Sequence, residues 1–148
     1  MISPESLRRY PYFAKISYPC LKAIAAISEE RDFAAGERLL AEGEKADSLL
    51  ILTKGEADLA YELQGGKRVI VGSLAPGALV AVSAVLEPNI HTTSAFARND
   101  GSLIAIQARP LIELCEENFD VGYRLMTQVA RALRSRLADV RVELAGAS

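Results

Sequence analysis

The chain has no tryptophan, one histidine and two cysteines in 148 residues, and a formal net charge of only −2. Each scarcity removes a class of function. Cys20 and Cys115 fall short of the four thiolates that an iron–sulfur cluster usually takes. Both lie in segments read as amphipathic helices, so they are expected as free core thiols of a reducing cytoplasm rather than as a disulfide. The near-balance of charge gives no bulk basicity to attract nucleic acid. No apolar run approaches the roughly 18 residues of a membrane span, and the N-terminus lacks the apolar core of a signal peptide. There is no internal repeat, low-complexity stretch or linker. The expectation is a cytoplasmic chain forming a single domain over 1–148, long enough to bury a core.

What is present is a series of short apolar runs punctuated by turn residues. Leu49 to Leu52 is continuous and bounded by Asp47-Ser48 and Lys54-Gly55, which suits a strand covered on both faces. From Glu56 to Leu63 the pattern alternates, with Ala57, Leu59 and Tyr61 on one face. Gln64-Gly65-Gly66-Lys67 predicts a hairpin turn, and residues 69–74 predict the returning strand. Pro76-Gly77 is another turn. Thr92 to Ala97 and Ser102 to Gln107 read as two further strands joined by Arg98-Asn99-Asp100-Gly101. Short strands at this spacing argue for a β sandwich or jelly roll.

Helical patterns flank the β region, which is expected over 31–108. Ser3-Pro4-Glu5 places an N-cap before a proline at the first helical position. Leu7 to Tyr10 and Pro19 to Ser28 read as two short helices within an N-terminal helical segment, 6–30. Leu21, Ile24 and Ile27 share one face of the second. Arg109-Pro110 opens a C-terminal helix. A long one follows from Phe119 or Asp120 to about Glu143, so helices are expected over 109–143. Gly122, Met126, Val129, Leu133, Leu137 and Val140 form a stripe along it.

The run Phe33-Ala34-Ala35-Gly36-Glu37, with Leu39-Leu40, Glu42-Gly43-Glu44, Leu49 to Leu52 and Gly55-Glu56, resembles the front half of the cyclic-nucleotide-binding domain. The helical lead-in Leu7 to Ile16 is similar too, so the resemblance covers about Ser6 to Val142. It implies a mainly β fold with flanking helices: a jelly-roll (double-stranded β-helix) sandwich carrying N-terminal helices and a long C-terminal helix. In that family the long helix pairs two subunits and lids the ligand pocket. The family's transcription factors continue into a helix-turn-helix domain. Here the sequence stops soon after the long helix, so a stand-alone sensor module, or a piece of a longer protein, is expected. A cupin-like jelly-roll enzyme is the rival of another class, but it needs two or three histidines with a carboxylate, and His91 stands alone.

The family's nucleotide cassette is a Gly-Glu-Leu triplet opening a short helix, followed about ten residues later by Arg-Ser/Thr-Ala. The glutamate takes the ribose 2′-hydroxyl and the arginine pairs with the cyclic phosphate. Anchored on Gly77 and Phe96, the resemblance puts Ala81-Val82-Ser83 on the triplet, with the short helix near 81–86. It puts Thr92-Thr93-Ser94 on the arginine motif. Val82 therefore stands for the glutamate and Thr92 for the arginine. At roughly 1.5–3 kcal/mol for each charge-assisted hydrogen bond, the two losses weaken a cyclic nucleotide by about a thousandfold or more. The residues left to hold a ligand are Val80, Ala81, Val82, Ser83, Ala84, His91, Thr92, Thr93 and Ser94. Glu87 sits five residues late for the ribose role and is set aside. His91 otherwise reads as a loop histidine, and the arginines of the last helix, Arg136 among them, as a solvated face.

The resulting expectation is a non-enzymatic regulatory module that takes no cofactor or metal, has no catalytic residues, binds no nucleic acid or membrane within this chain, and does not hold cyclic AMP tightly. A possible anionic ligand and a second copy of the chain are its expected partners. Pairing would run through Met126, Val129, Leu133, Leu137 and Val140. Two alternatives share the fold: a true cyclic-nucleotide binder with rearranged contacts, and a dimerisation module whose pocket is filled by Val82 and Phe96.

Overall fold

A computed structural model describes residues 2–147. Two short helices lead in. In α1 (Pro4–Arg8) the Ser3 hydroxyl accepts from the Glu5 N–H at 3.2 Å and Pro4 sits in the first turn, which satisfies an orphan donor and presets the backbone. Next comes α2 (Tyr18–Ala26), which buries Leu21, Ile24 and Ala25. It does not run to Ser28, and the helical segment does not reach residue 30. Ser28 instead opens β1 (Ser28–Phe33), and its hydroxyl donates to the Ile24 carbonyl at 2.7 Å, closing the helix end. Only the two ends of β1 are buried and the four residues between them are exposed. It therefore carries no alternation to reveal it; pairing creates it.

The strands that follow are β2 (Arg38–Leu40), β3 (Ser48–Lys54), β4 (Ala57–Glu62), β5 (Arg68–Leu74), β6 (Ser94–Ala97) and β7 (Gly101–Gln107). They form two antiparallel sheets, ordered β1-β7-β3 and β2-β6-β4-β5, the jelly-roll arrangement with helices at its flanks. The β4–β5 hairpin turns through Gly65 and Gly66 at φ 83° and 79°, a left-handed backbone that glycine adopts without steric cost. At the other end of β4 an alanine at Gly101 would put its Cβ into the Lys54 carbonyl and the Phe33 ring. The close approach of β7 to β3 there requires glycine.

Strand β3 is covered on both faces, as its unbroken apolar run predicts. Leu49 and Ile51 join Ile104 and Ile106 of β7 in a core shared with the helices. Leu50 and Leu52 join Leu103, Ala105, Leu59 and Ala95 between the sheets. Alternation along a strand thus feeds two cores at once. The chain ends in α3 (Ala108–Glu117) and α4 (Phe119–Ala147). Val121, Leu125 and Val129 of α4 are buried, together with Leu111 of α3, against the helix-facing core. Phe119, Tyr123, Met126, Leu133, Leu137 and Val140 remain exposed.

Among the described residues no helix is long and apolar enough to cross a membrane, and no three His, Cys, Asp or Glu side chains converge on one point. Cys20 and Cys115 are both free thiols, each half-buried.

Candidate functional site

The segment between β5 and β6 builds the site. After the Pro76-Gly77 turn, Gly77 N–H donates to the Leu52 carbonyl at 2.7 Å, and Val80 N–H to the Leu50 carbonyl at 2.8 Å, which lays the chain along β3. The cassette helix is a single 3₁₀ turn, Val82–Val85, shorter than the 81–86 helix expected. Asn89, with φ 60°, anchors it. Its side-chain amide donates to the carbonyls of Ser83 and Ala84 at 3.2 and 2.9 Å. Asparagine tolerates the left-handed backbone that this turn needs.

A cavity of about 340 Å³ opens between this turn, sheet residues Leu59, Tyr61 and Val71, and helix residues Leu133, Arg136 and Val140. Its near wall is Val82, Ser83, Leu86, Glu87, Pro88, Ile90, Thr92 and Thr93. Four of the residues predicted for a ligand therefore do meet in one cavity: Val82, Ser83, Thr92 and Thr93. Val82 is only 4% exposed and presents an apolar surface to the cavity, at the position where the resemblance leads one to expect the family's carboxylate.

The other predicted ligand residues lie elsewhere. Ala81 is buried between the sheets. Ala84 lines a separate open cleft of about 630 Å³ beside α3, with Lys45, Asp47, Arg109 and Glu113. That cleft has mixed charge and none of the cassette's hydroxyls. Ser94 is fully buried, donates to Glu62 Oε1 at 2.7 Å and accepts from the Glu42 N–H at 3.0 Å, so its hydroxyl braces strands. The hydrogen bond from Ser94 first, then the hydrogen bond and charge of Arg38 and the charge of Arg68, hold the Glu62 carboxyl below its usual range. His91 is half-buried where its backbone pairs with Gly43 and Glu44. Burial pushes its imidazole below the ordinary value, against the opposing pull of the Glu44 and Asp47 carboxylates. Val80 is buried in the core between the sheets and does not line the cavity. Phe96 does not fill the cavity; the Arg68 guanidinium sits 3.5 Å over its ring.

Arg136 corrects the reading of a solvated basic face. Its Nη2 donates to the carbonyls of Leu79 at 2.6 Å and Val80 at 3.3 Å. It lies in register with the buried face of α4: Val121, Leu125, Val129, Ala132, Arg136 recur at intervals of four and three. That register was the sequence signal for it. Burial pushes its guanidinium below the ordinary arginine value. Glu87, set aside from spacing alone, also lines the cavity, at an exposed position.

The pairing stripe divides in two. Val129 is 2% exposed and belongs to the core, so it faces no second copy. The exposed seam runs Phe119, Tyr123, Met126, Ala130, Leu133, Leu137, Val140 at alternating intervals of four and three. Leu133 and Val140 belong to both seam and cavity.

The sequence profile of the cyclic nucleotide-binding domain matches residues 30–118. A solved structure from Geobacter metallireducens GS-15, named as a candidate cyclic nucleotide-binding protein, is 39% identical; the match covers 93% of this chain and 99% of that one, with a TM-score of 0.82. The catabolite activator protein of Thermus thermophilus is 23% identical over 92% of this chain and 63% of its own, with a TM-score of 0.70. The CRP-like cAMP-activated global transcriptional regulator of Mycobacterium tuberculosis is 22% identical over 139 residues, 92% of this chain. The chain spans 62% of that relative's length.

Proposed function

The chain belongs to the cyclic nucleotide-binding domain family, and from that premise we propose that it is a non-enzymatic regulatory module whose cavity does not hold cyclic AMP tightly. The observation that carries this is the pairing of Val82 and Thr92 on the cavity wall, where the family resemblance calls for a carboxylate and a guanidinium. A cyclic phosphate at this wall meets hydroxyls, and a ribose meets the side chain of a buried valine. Neither supplies the charge-assisted bonds that make such contacts strong.

Occupancy of the cavity has a direct route outward. Leu133 and Val140 contact both the cavity and the exposed seam of α4. A ligand that presses on them biases the helix, and the helix face is what a second copy would bury. A seam of apolar residues at alternating four- and three-residue intervals suits a two-stranded coiled coil, and a two-fold pairing of identical faces is the commonest closed assembly. The module would therefore pair through α4 and report its ligand through that pairing.

A second reading is favoured by one observation: Glu87 and Arg136, a carboxylate and a guanidinium, both line the cavity from positions outside the usual cassette. A cyclic nucleotide held by these two would be a rearranged binder. Calorimetry with cyclic AMP and cyclic GMP separates the readings. A dissociation constant above about 100 µM supports the first, since the stabilisation RT ln(1 + [L]/Kd) at about 100 µM ligand is then below RT ln 2. A sub-micromolar value overturns it and supports the second.

A further inference from the structure

The geometry points to Arg136 as the anchor of a small organic monoanion with an apolar body, a carboxylate rather than a nucleotide, with the body in the cavity beneath α4. This rests on the reading that the cavity is a ligand site, and it names the chemistry of that ligand.

Arg136 is the cavity's one cationic side chain, and it is fixed before any ligand arrives. Its Nη2 is tied to the carbonyls of Leu79 and Val80 at 2.6 and 3.3 Å. Both acceptors are neutral, so the charge is oriented but not cancelled. Among the described residues no carboxylate lies within ion-pair distance of it, and Nη1 and Nε have no hydrogen-bond partner. A half-buried guanidinium whose Nη1 and Nε N–H groups stay open can still donate single charge-assisted hydrogen bonds to an anion's oxygen. The carbonyl tether lowers the entropy lost when that bond forms.

The rest of the cavity selects the body. Val71, Val82, Leu86, Ile90, Leu133 and Val140 make its wall largely aliphatic. No side-chain amide or imidazole lines it, so apart from Arg136 and the rim carboxylate of Glu87 the hydrogen-bonding edge of a purine would find only hydroxyls. At about 340 Å³ it stands near the lower end of the roughly 300–1,000 Å³ of small-molecule sites. Glu87 is the one like charge, and its exposed position leaves it solvated at the rim.

The test uses the full chain with octanoate, octanamide, acetate and cyclic AMP, read by thermal shift and calorimetry. Octanoate should bind about tenfold or more tightly than octanamide, which has the same body without the charge, and than acetate, which has the charge without the body. Arg136→Gln should erase the advantage of octanoate over octanamide, and Arg136→Lys should keep part of it. Because Arg136 also ties α4 to the sandwich, a second variant leaves the tether intact: Thr92→Glu puts a like charge in the cavity and should weaken octanoate about tenfold or more while leaving octanamide unchanged. Equal binding of octanoate and octanamide, an advantage that survives Arg136→Gln, or no stabilisation by octanoate overturns the proposal. Tight cyclic AMP binding overturns the preceding reading as well, whereas octanoate failing beside weak cyclic AMP binding overturns this one alone.

Discussion

The Ser94 hydroxyl donates to Glu62 Oε1 at 2.7 Å, joining the start of β6 to the end of β4. Ser94 Oγ also accepts from the Glu42 N–H, so one side chain closes two loose ends of the sheet. Ser94→Ala is expected to remove both bonds and leave the part-buried Glu42 N–H to solvent, destabilising the fold by about 0.5–1.5 kcal/mol. Denaturant melts measure this. Because Ser94 lies outside the cavity lining, the variant should bind any cavity ligand as the parent does at temperatures where both are folded. A loss of ligand affinity without a loss of stability would place Ser94 in the site after all.

The two faces of α4 should respond differently. Leu125 is fully buried, and Leu125→Ala should cost about 2–5 kcal/mol through lost burial and the cavity left behind. Leu137 is half exposed and does not line the cavity beneath α4. Leu137→Glu should leave the melt nearly unchanged and convert a dimer into a monomer. Light scattering at micromolar concentration should give twice the 16.0 kDa chain mass for the parent and that mass once for the variant. A monomeric parent ends the pairing proposal.

Restoring the missing anchors tests whether the cavity keeps the family's backbone geometry. Val82→Glu with Thr92→Arg places a carboxylate and a guanidinium on the same wall. Each regained charge-assisted bond is worth about 1.5–3 kcal/mol, so cyclic AMP affinity should rise at least about tenfold over the parent by calorimetry. Val82→Glu alone should destabilise, because it buries a charge without its partner. No gain from the pair would mean that the short 3₁₀ turn presents these positions differently from a full cassette helix.

The pH dependence carries a sign. Burial depresses the His91 pKa in the folded state, so the unfolded chain takes up a proton first as pH falls. The contribution is present above the unfolded value, about 6.5, and is lost as pH falls through the lower folded value. Melting temperature should therefore begin to drop as pH falls through about 6.5, and His91→Gln should flatten part of that drop. An unchanged slope in the variant would remove His91 from this response; Glu62, held below its usual range, gives up its contribution only as pH falls below about 4.5.

Local chemistry in the sequence determined most of the architecture. The continuous run at Leu49 to Leu52, the Gly65-Gly66 turn, the Ser3-Pro4 cap and the apolar period of the last helix each act through neighbours a few residues away, and each is legible from that spacing. The expected loss of the two charged anchors at Val82 and Thr92 rests on a motif in register alone, and the paired restoration of those anchors is its test. Tertiary structure decided the rest. Strand β1 is buried only at its ends, so nothing but its pairing with β7 distinguishes it from a loop. His91 and Ser94 flank the threonines in sequence, yet the fold spends the backbone of one on the Gly43–Glu44 loop and the hydroxyl of the other on Glu62. Val129 and Leu133 sit one turn apart, and only the placement of α4 on the sandwich sends one to the core and the other to the cavity mouth. Arg136 shares that cause: its role depends on two carbonyls more than fifty residues away, a distance that no local pattern spans.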